Sequence, residues 1–599
     1  MGDVAAVAGS AMNMHPGRNA PCICGSGKKY KHCCAGKIAP RTPTPVELNQ
    51  LAVLFNNGRY AELESCSRRL LAQYPEAGLV WKLLCISLQV QGKDAFGALQ
   101  KAAKYLPDDA EIHNNLGLAL QARGQHAEAA ASFGRALVLA PDFFEAHANF
   151  GNALKDLGQL DAAVASYRRA IKINSGIAEI HSNLGAVLHE LQHFDEAGAS
   201  HRRALELNPK YAAAHNNLGN VLRDLGQLDH AAESFRQALE IQPDYADAHN
   251  NLGAALRMLG QLDAAIACCH KALLIRADYD TAHINLSHLL LESGDFEQGW
   301  KEYEWRDPRC AVERRIPTPI PRASALLPFI AKGKRILLCH EQGIGDELFF
   351  LRFARLLRED AQWVGYWSTA KVQTLIERSG CVDQVISRYE EASPADLIIP
   401  VGDLPLLLAC TAIAKIPPTL RFSPTEMHMA KVRQRLSELN LSGQRLLGIT
   451  WRGGSPPVPG KTRTLFKQIE LDSLADAIKD WKGAIVVLQR APVAGEIEQL
   501  RAQVSCPVYD LSEYNDDLES MLALLDVLDE YVGVSNANMH LMAGLGKTAR
   551  VLMPFPAEWR WMASGDQSPW FPGFVLYRQA VTGDWEETLA GLSRDLSES

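Results

Sequence analysis

Small and apolar residues recur through the middle of the chain with a fixed period of 34: Gly117, Gly151, Gly185, Gly219 and Gly253, with Ser287 in the next place. Each follows an apolar residue: Leu116, Phe150, Leu184, Leu218, Leu252 or Leu286. Within one period, residues 212–245, the spacing predicts two amphipathic helices. Leu218 fills the space between them, and Gly219 and Ala231 are small where they cross. Gly226 makes the turn, and Phe235 and Ala238 are expected to face the following period. Pro243 ends the second helix because it has no backbone N–H to give. Beyond residue 330 the pattern changes. Short apolar runs at 335–339, 446–451, 484–488, 530–534 and 550–553 alternate with helical stretches, which predicts a parallel α/β sheet.

A helix–turn–helix period of 34 is the signature of tetratricopeptide repeats (TPR). Two looser repeats precede the regular ones and end at Pro75 and Pro107. About seven full repeats and a partial one near 300–305 are expected. Pro-rich stretches at 39–45 and 316–328 mark boundaries. The chain therefore reads as multidomain: a small zinc-binding motif at 17–37, an all-α TPR superhelix at 46–313, and an α/β domain at 330–599. The last has two Rossmann-type halves, about 334–440 and 445–590.

Two polar residues follow the same period. Asparagine stands at Asn115, Asn149, Asn183, Asn217, Asn251 and Asn285, and histidine at His113, His147, His181, His215, His249 and His283. Both lie on the first helix of each repeat. An asparagine amide offers a donor and an acceptor together, the complement of a peptide group. A ladder of six could hold an extended protein or peptide acceptor by its backbone. The histidines take a packing position. The asparagine series resembles the ladder in the TPR part of eukaryotic O-GlcNAc transferase.

Residues 17–36 read GRNAPCICGSGKKYKHCCAG. Four thiols this close suit tetrahedral zinc, and so short a segment needs metal to fold. The segment closely resembles the SEC-C motif, which implies structural zinc held by Cys22, Cys24, Cys33 and Cys34, with His32 a bystander. Neither GSGKK nor the GLGKT at 544–548 has the first glycine of a P-loop.

The strand at 335–339 runs into His340-Glu341-Gln342-Gly343-Ile344-Gly345-Asp346-Glu347, with a helix expected at 348–357. A glycine loop between strand and helix admits a ligand to the backbone. In the second half, three strand ends meet loops: Arg452-Gly453-Gly454, Gln489, and Ser535-Asn536-Ala537-Asn538-Met539-His540. Open α/β sheets bind ligands at such ends. Together with SPWFP at 568–572 and GDW at 583–585, these elements look like a GT-B glycosyltransferase. They resemble the heptosyltransferase-like domains of bacterial TPR proteins and, by layout, flagellin-modifying glycosyltransferases.

That resemblance implies a nucleotide-sugar donor. It places the general base at Asp346, with His340 and Glu341 as alternates and helix capping as the plain structural role. It places donor contacts at His540, Ser535 and Asn536, where Ser535 replaces the family's aspartate and changes the expected sugar contact. Gly343, Gly345 and Gln489 line the expected site, and Arg452, Lys461 and Arg463 are candidate phosphate partners on the loop after residue 451.

Composition narrows the classes. The 599 residues carry a net charge of -8, which argues against a general nucleic-acid binder. No apolar run approaches the ~20 residues of a membrane span. The 13 cysteines lack a disulfide framework, and the start lacks a signal peptide's basic end, so a cytoplasmic location is expected. The expected function is transfer of a sugar to Ser or Thr of a protein acceptor, flagellin among the candidates. Transfer to a lipid-linked glycan and a non-enzymatic TPR adaptor are the alternatives.

Overall fold

The computed structural model describes residues 29, 42–307, 309, 312, 314, 316, 319–341, 343–389, 394–454 and 467–598. The cysteines Cys22, Cys24, Cys33 and Cys34 and the loop cations Lys461 and Arg463 lie outside the described residues. By internal packing the chain divides into two units, Met1–Pro209 and Lys210–Ser599. The division falls inside the repeat array.

The first unit is a run of antiparallel helix pairs. It opens with Pro45–Asn56 against Tyr60–Gln73 and closes with Ala178–Glu190 against Phe194–Leu207. Thr44 starts it with a reciprocal cap: Glu47 N donates to Thr44 Oγ1 at 3.3 Å, and Thr44 N donates to the Glu47 carboxylate at 2.7 Å. The second unit begins with pairs Ala212–Asp224/Leu228–Ile241 and Ala246–Met258/Leu262–Ile275. A shortened pair follows, Asp280–Ser293/Phe296–Glu302.

The period-34 glycine packs within its own repeat. A Cβ on Gly219 would lie 2.6 Å from the Phe235 ring, and Gly117 meets Phe133 in the same way. Phe235 therefore packs closely onto the first helix of its own repeat, and the equivalent Phe133 also joins a cluster with Phe150 and Ala153 of the following repeat. The ring needs the room that only glycine leaves. The same place is filled by Tyr167, His201 and Cys269 opposite Gly151, Gly185 and Gly253.

Past the repeats, the second unit holds two parallel sheets. The first contains β1 (Arg335–Cys339), β2 (Trp363–Trp367), β3 (Gln384–Ile386) and β4 (Leu397–Pro400) in the order β3-β2-β1-β4. The second contains β5 (Leu446–Thr450), β8 (Ala484–Val487), β9 (Val508–Asp510), β10 (Glu530–Val534), β11 (Arg550–Met553) and β12 (Val575–Arg578). Its order is β12-β11-β10-β5-β8-β9. A separate two-residue pair joins β6 (Arg452–Gly453) to β7 (Lys467–Gln468), antiparallel. The central strands β5, β8 and β10 are almost wholly buried, so they read as continuous apolar runs.

The helix expected at 348–357 begins earlier, at Ile344, and stops at Phe350. A 3-10 turn, Leu351–Phe353, separates it from Ala354–Arg358. The buried Arg352 explains the break. Its Nε donates to the Phe349 carbonyl at 3.0 Å and a terminal nitrogen donates to Trp570 O at 2.8 Å, taking a carbonyl a regular helix would use.

The last repeat helix is seated on the sheets by an aromatic cluster. Trp300, 2% exposed, has its ring centroid 5.3 Å from Trp559 and 5.9 Å from Trp570, and its Nε1 donates to Cys410 O at 3.1 Å. Arg257 adds a polar tie, donating to Glu292 at 2.9 Å and to Ala557 O at 3.0 Å.

Candidate functional site

Strand order in the second sheet reverses between β5 and β10. In open parallel sheets ligands bind outside the strand carboxyl ends at such a point, where the two flanking loops diverge. Here the loops are built around Asn536. Its Nδ2 donates to Thr450 Oγ1 at 2.9 Å and Tyr531 OH at 3.2 Å, and its Oδ1 accepts from Asn538 N at 2.9 Å. That last bond caps the helix Ala537–Leu545. Gln489, at the end of β8, accepts from the backbone N–H groups of Trp451 (3.0 Å) and Arg452 (2.8 Å), fixing the exit of β5.

A cleft of about 1180 Å³ opens at this edge, and the glycine loop after β1 forms its opposite wall. Gly343, Gly345, Asp346, Arg452, Gln489, Ser535, Asn536 and His540 all line it, so one space gathers residues more than a hundred positions apart. Gly345 and His540 touch across it: a Cβ on Gly345 would lie 3.2 Å from the imidazole. Burial, and then the nearby cations Arg560, Arg352 and Lys467, hold His540 well below the ordinary histidine range, so its ring is neutral.

Asp346 lies in the first turn of its helix, whose N-cap is Gly343, and its side chain caps no backbone N–H among the described residues. Its carboxylate is instead ion-paired with Arg560 from the 3-10 turn Trp559–Trp561. Glu558, two residues earlier, is ion-paired with Lys467 and accepts from Ser535 Oγ at 3.0 Å. Burial pushes the Glu558 carboxyl up, but Lys467 and Arg560 outweigh it and the group ends below its usual range. The cleft is thus lined by a chain of alternating charges. Arg452 faces it too, but its guanidinium is committed to Glu496 at 2.7 Å.

Two of the expected bases stand elsewhere. Glu341 is 1% exposed and grips Arg306 through both oxygens, each at 2.7 Å, while accepting from Gly402 N at 2.7 Å. It is a structural anion turned away from the cleft, because a buried carboxylate needs these partners. His340 does not line the cleft; its Nδ1 lies 2.9 Å from Trp367 O and its ring meets Trp367 edge-on.

Arg560, Glu558 and Lys467 were not singled out by sequence reasoning. The first two lie past the end of β11, in PAEWRW, so the rule of strand carboxyl ends would have reached them.

In each unit the asparagines are half-buried, and four of the six are tied to a neighbouring repeat. In the first, Asn149 Nδ2 donates to Asn114 Oδ1 (3.0 Å) and Asn183 to Asn152 (3.2 Å). In the second, Asn251 donates to Asn216 (3.0 Å) and Asn285 to Asn250 (2.8 Å), and Asn217 accepts from Asn216 at 3.4 Å. Asn115 is half-buried on its helix Ala110–Gln121. One N–H of these four donors is therefore spent between repeats. The histidines latch the chain entering each repeat: Nε2 of His113, His147, His181, His249 and His283 lies 2.9–3.1 Å from the carbonyl six residues earlier.

Comparison with known proteins places the repeats firmly. Residues 110–143, 178–211 and 246–279 match tetratricopeptide-repeat family models, and 151–192 and 219–260 match a TPR-repeat model. Residues 18–36 match the SEC-C motif. A search of curated proteins finds no match. Among solved structures the chain is similar to YrrB, "a TPR protein with an unusual peptide-binding site", at 26% identity over 31% of this chain and 95% of that one, TM-score 0.27. It is also similar to MamA from Desulfovibrio magneticus (21%, 28% and 97%, 0.27) and to Pseudomonas aeruginosa PilF (20%, 35% and 92%, 0.29). The chain thus carries TPR repeats, a feature that points to peptide or protein partners, and no helix among the described residues is long and apolar enough to cross a membrane.

Proposed function

We propose that this protein is a nucleotide-sugar-dependent glycosyltransferase of GT-B type that acts on a polypeptide bound by its TPR repeats. The observation that carries the reading is the cleft at the β5/β10 switch point, which sets Asp346 of one α/β half against His540 and the Ala537–Leu545 helix start of the other. The donor diphosphate would lie at that helix start, where backbone N–H groups and the helix dipole favour an anion. Transfer would proceed with inversion. The acceptor Ser or Thr oxygen attacks the anomeric carbon, the bond from that carbon to the phosphate oxygen breaks, and Asp346 takes the hydroxyl proton. The leaving nucleotide diphosphate carries away the electron pair and is stabilised by the cations lining the cleft. Flagellin is a candidate acceptor.

The cysteines of the SEC-C motif would hold one structural zinc, since four thiolates form a tetrahedral set. A second reading is favoured by the matched repeats and by the engagement of Asp346 with Arg560: a protein-binding adaptor with no transfer chemistry. Calorimetry with a panel of nucleoside diphosphates separates the two. Binding of one nucleotide, abolished by His540→Ala, supports the transferase; binding of none leaves the adaptor.

A further inference from the structure

Two cations that line the cleft are each paired with an anion that lines it too, Arg560 with Asp346 and Lys467 with Glu558. Glu558 and Lys467 are each 14% exposed at the side chain, Arg560 12% and Asp346 24%. Asp346 is the most open of the four and the only one of them on the glycine-loop wall. The Arg560 guanidinium lies over the Phe349 and Trp559 rings, 4.8 Å and 4.6 Å from their centroids, so its plane is set by packing independently of Asp346. Its Nε is buried without a hydrogen-bond partner. Such a donor is costly to leave unmet and marks unused binding capacity. Lys467 also reaches the strand-end loop, donating to Ser535 O at 3.1 Å beside the Ala537–Leu545 helix start. His540 lines the same cleft and packs edge-on against the Phe349 and Phe571 rings.

We propose that Arg560 and Lys467 are the cations that receive the donor's diphosphate, and that Asp346 and Glu558 hold them in place until it arrives. The proposal rests on the transferase reading and deepens it. A phosphate carries more charge than a carboxylate and accepts in the bidentate geometry a guanidinium offers. Entering the cleft, it exchanges partners with Asp346. One ion pair is broken and one is made, and the Asp346 oxygens are freed on the side where an acceptor hydroxyl would lie. Donor binding thereby releases the base, so the empty enzyme keeps its base engaged. Arg452 and its Glu496 partner take no part in this exchange.

The probe is inorganic pyrophosphate, titrated calorimetrically into the full-length chain. Arg560→Met should weaken binding by about ten-fold or more, the worth of one charge-assisted contact. Asp346→Asn should do the opposite. It removes the competitor for Arg560, so pyrophosphate should bind ~3–10-fold tighter. In the double variant that gain should vanish. Should Arg560→Met fail to fold, Arg560→Lys keeps the charge, loses the fork, and should weaken binding several-fold. Unchanged or weaker binding by Asp346→Asn overturns the exchange; wild-type affinity in the Arg560 variants, or no binding by wild type, overturns the receptor. Pyrophosphate binding that depends on Arg560, without sugar transfer, would refute the transferase reading alone. Transfer with Arg560-independent binding would refute this inference alone.

Discussion

Replacing Arg306 with Met tests how the end of the repeats is locked to the glycine loop. Arg306 is 3% exposed at its side chain and donates to both Glu341 oxygens (2.7 Å each), to Asp403 (2.8 Å) and to Tyr303 O (3.0 Å). Arg309 supplies the second cation, 3.2 Å from Asp403, so the buried set is neutral. Methionine fills similar volume but leaves two carboxylates, 1% and 2% exposed, facing one cation. Breaking a buried pair in this way costs about 3–5 kcal/mol. The loss should depend on pH. Burial already pushes the Glu341 carboxyl up while Arg306 opposes it. Without Arg306 the folded-state pKa rises further above the unfolded one, so the folded variant binds the extra proton. Its stability is therefore greater at low pH and is lost as pH rises through the folded value. Urea unfolding of wild type, Arg306→Met and Arg306→Met/Glu341→Gln should be compared near pH 8 and near pH 5. The single variant should lose about 3–5 kcal/mol near pH 8 and clearly less near pH 5, and the double should recover part of the loss. A loss under about 1 kcal/mol, or one equal at both pH values with no recovery, would refute the reasoning.

Three further outcomes are expected. His201 is buried opposite Gly185, and burial with nearby His189 pushes it down to about 4. The folded pKa is depressed, so stability falls as pH drops from about 6.5 towards 4; His201→Phe should remove roughly 2 kcal/mol of the loss near pH 5, read by thermal unfolding. Metal analysis of the full chain should find one zinc, lost in Cys33→Ser/Cys34→Ser, and unchanged zinc would reject the ligand set. Replacing Asn183, Asn217 and Asn251 with Ala should weaken acceptor-peptide binding by about 0.5–1.5 kcal/mol per side chain while leaving pyrophosphate binding unchanged, and equal peptide affinity would dismiss the ladder.

The repeats are legible because a 34-residue period fixes where small and large side chains alternate, and Gly219 or Gly117 admits only one kind of neighbour. Strands such as Arg335–Cys339 and Glu530–Val534 are legible as buried apolar runs. The close fit of Phe235 against its own repeat is not, since a ring in a helix pair can reach either neighbour and only the approach at Gly219 shows that contact. Glu341 and Asp346 look alike in a glycine loop. What separates them is Arg306 and Arg560, 35 and 214 positions away in the chain, and no local pattern carries that distance. The same holds for the tie between Lys467 and Glu558, which needs both strand ends in place.

Intact-mass spectrometry of acceptor proteins, flagellin first, decides whether this chain transfers a sugar. Acceptors should be compared from cells carrying the wild-type chain, Asp346→Asn, or no copy. An added mass of one glycosyl unit should accompany the wild-type chain and be absent without it. With Asp346→Asn the rate of its appearance should fall by ~10²–10⁴. Identical acceptor masses in all three would contradict the transferase, and wild-type modification by Asp346→Asn would remove Asp346 as its base.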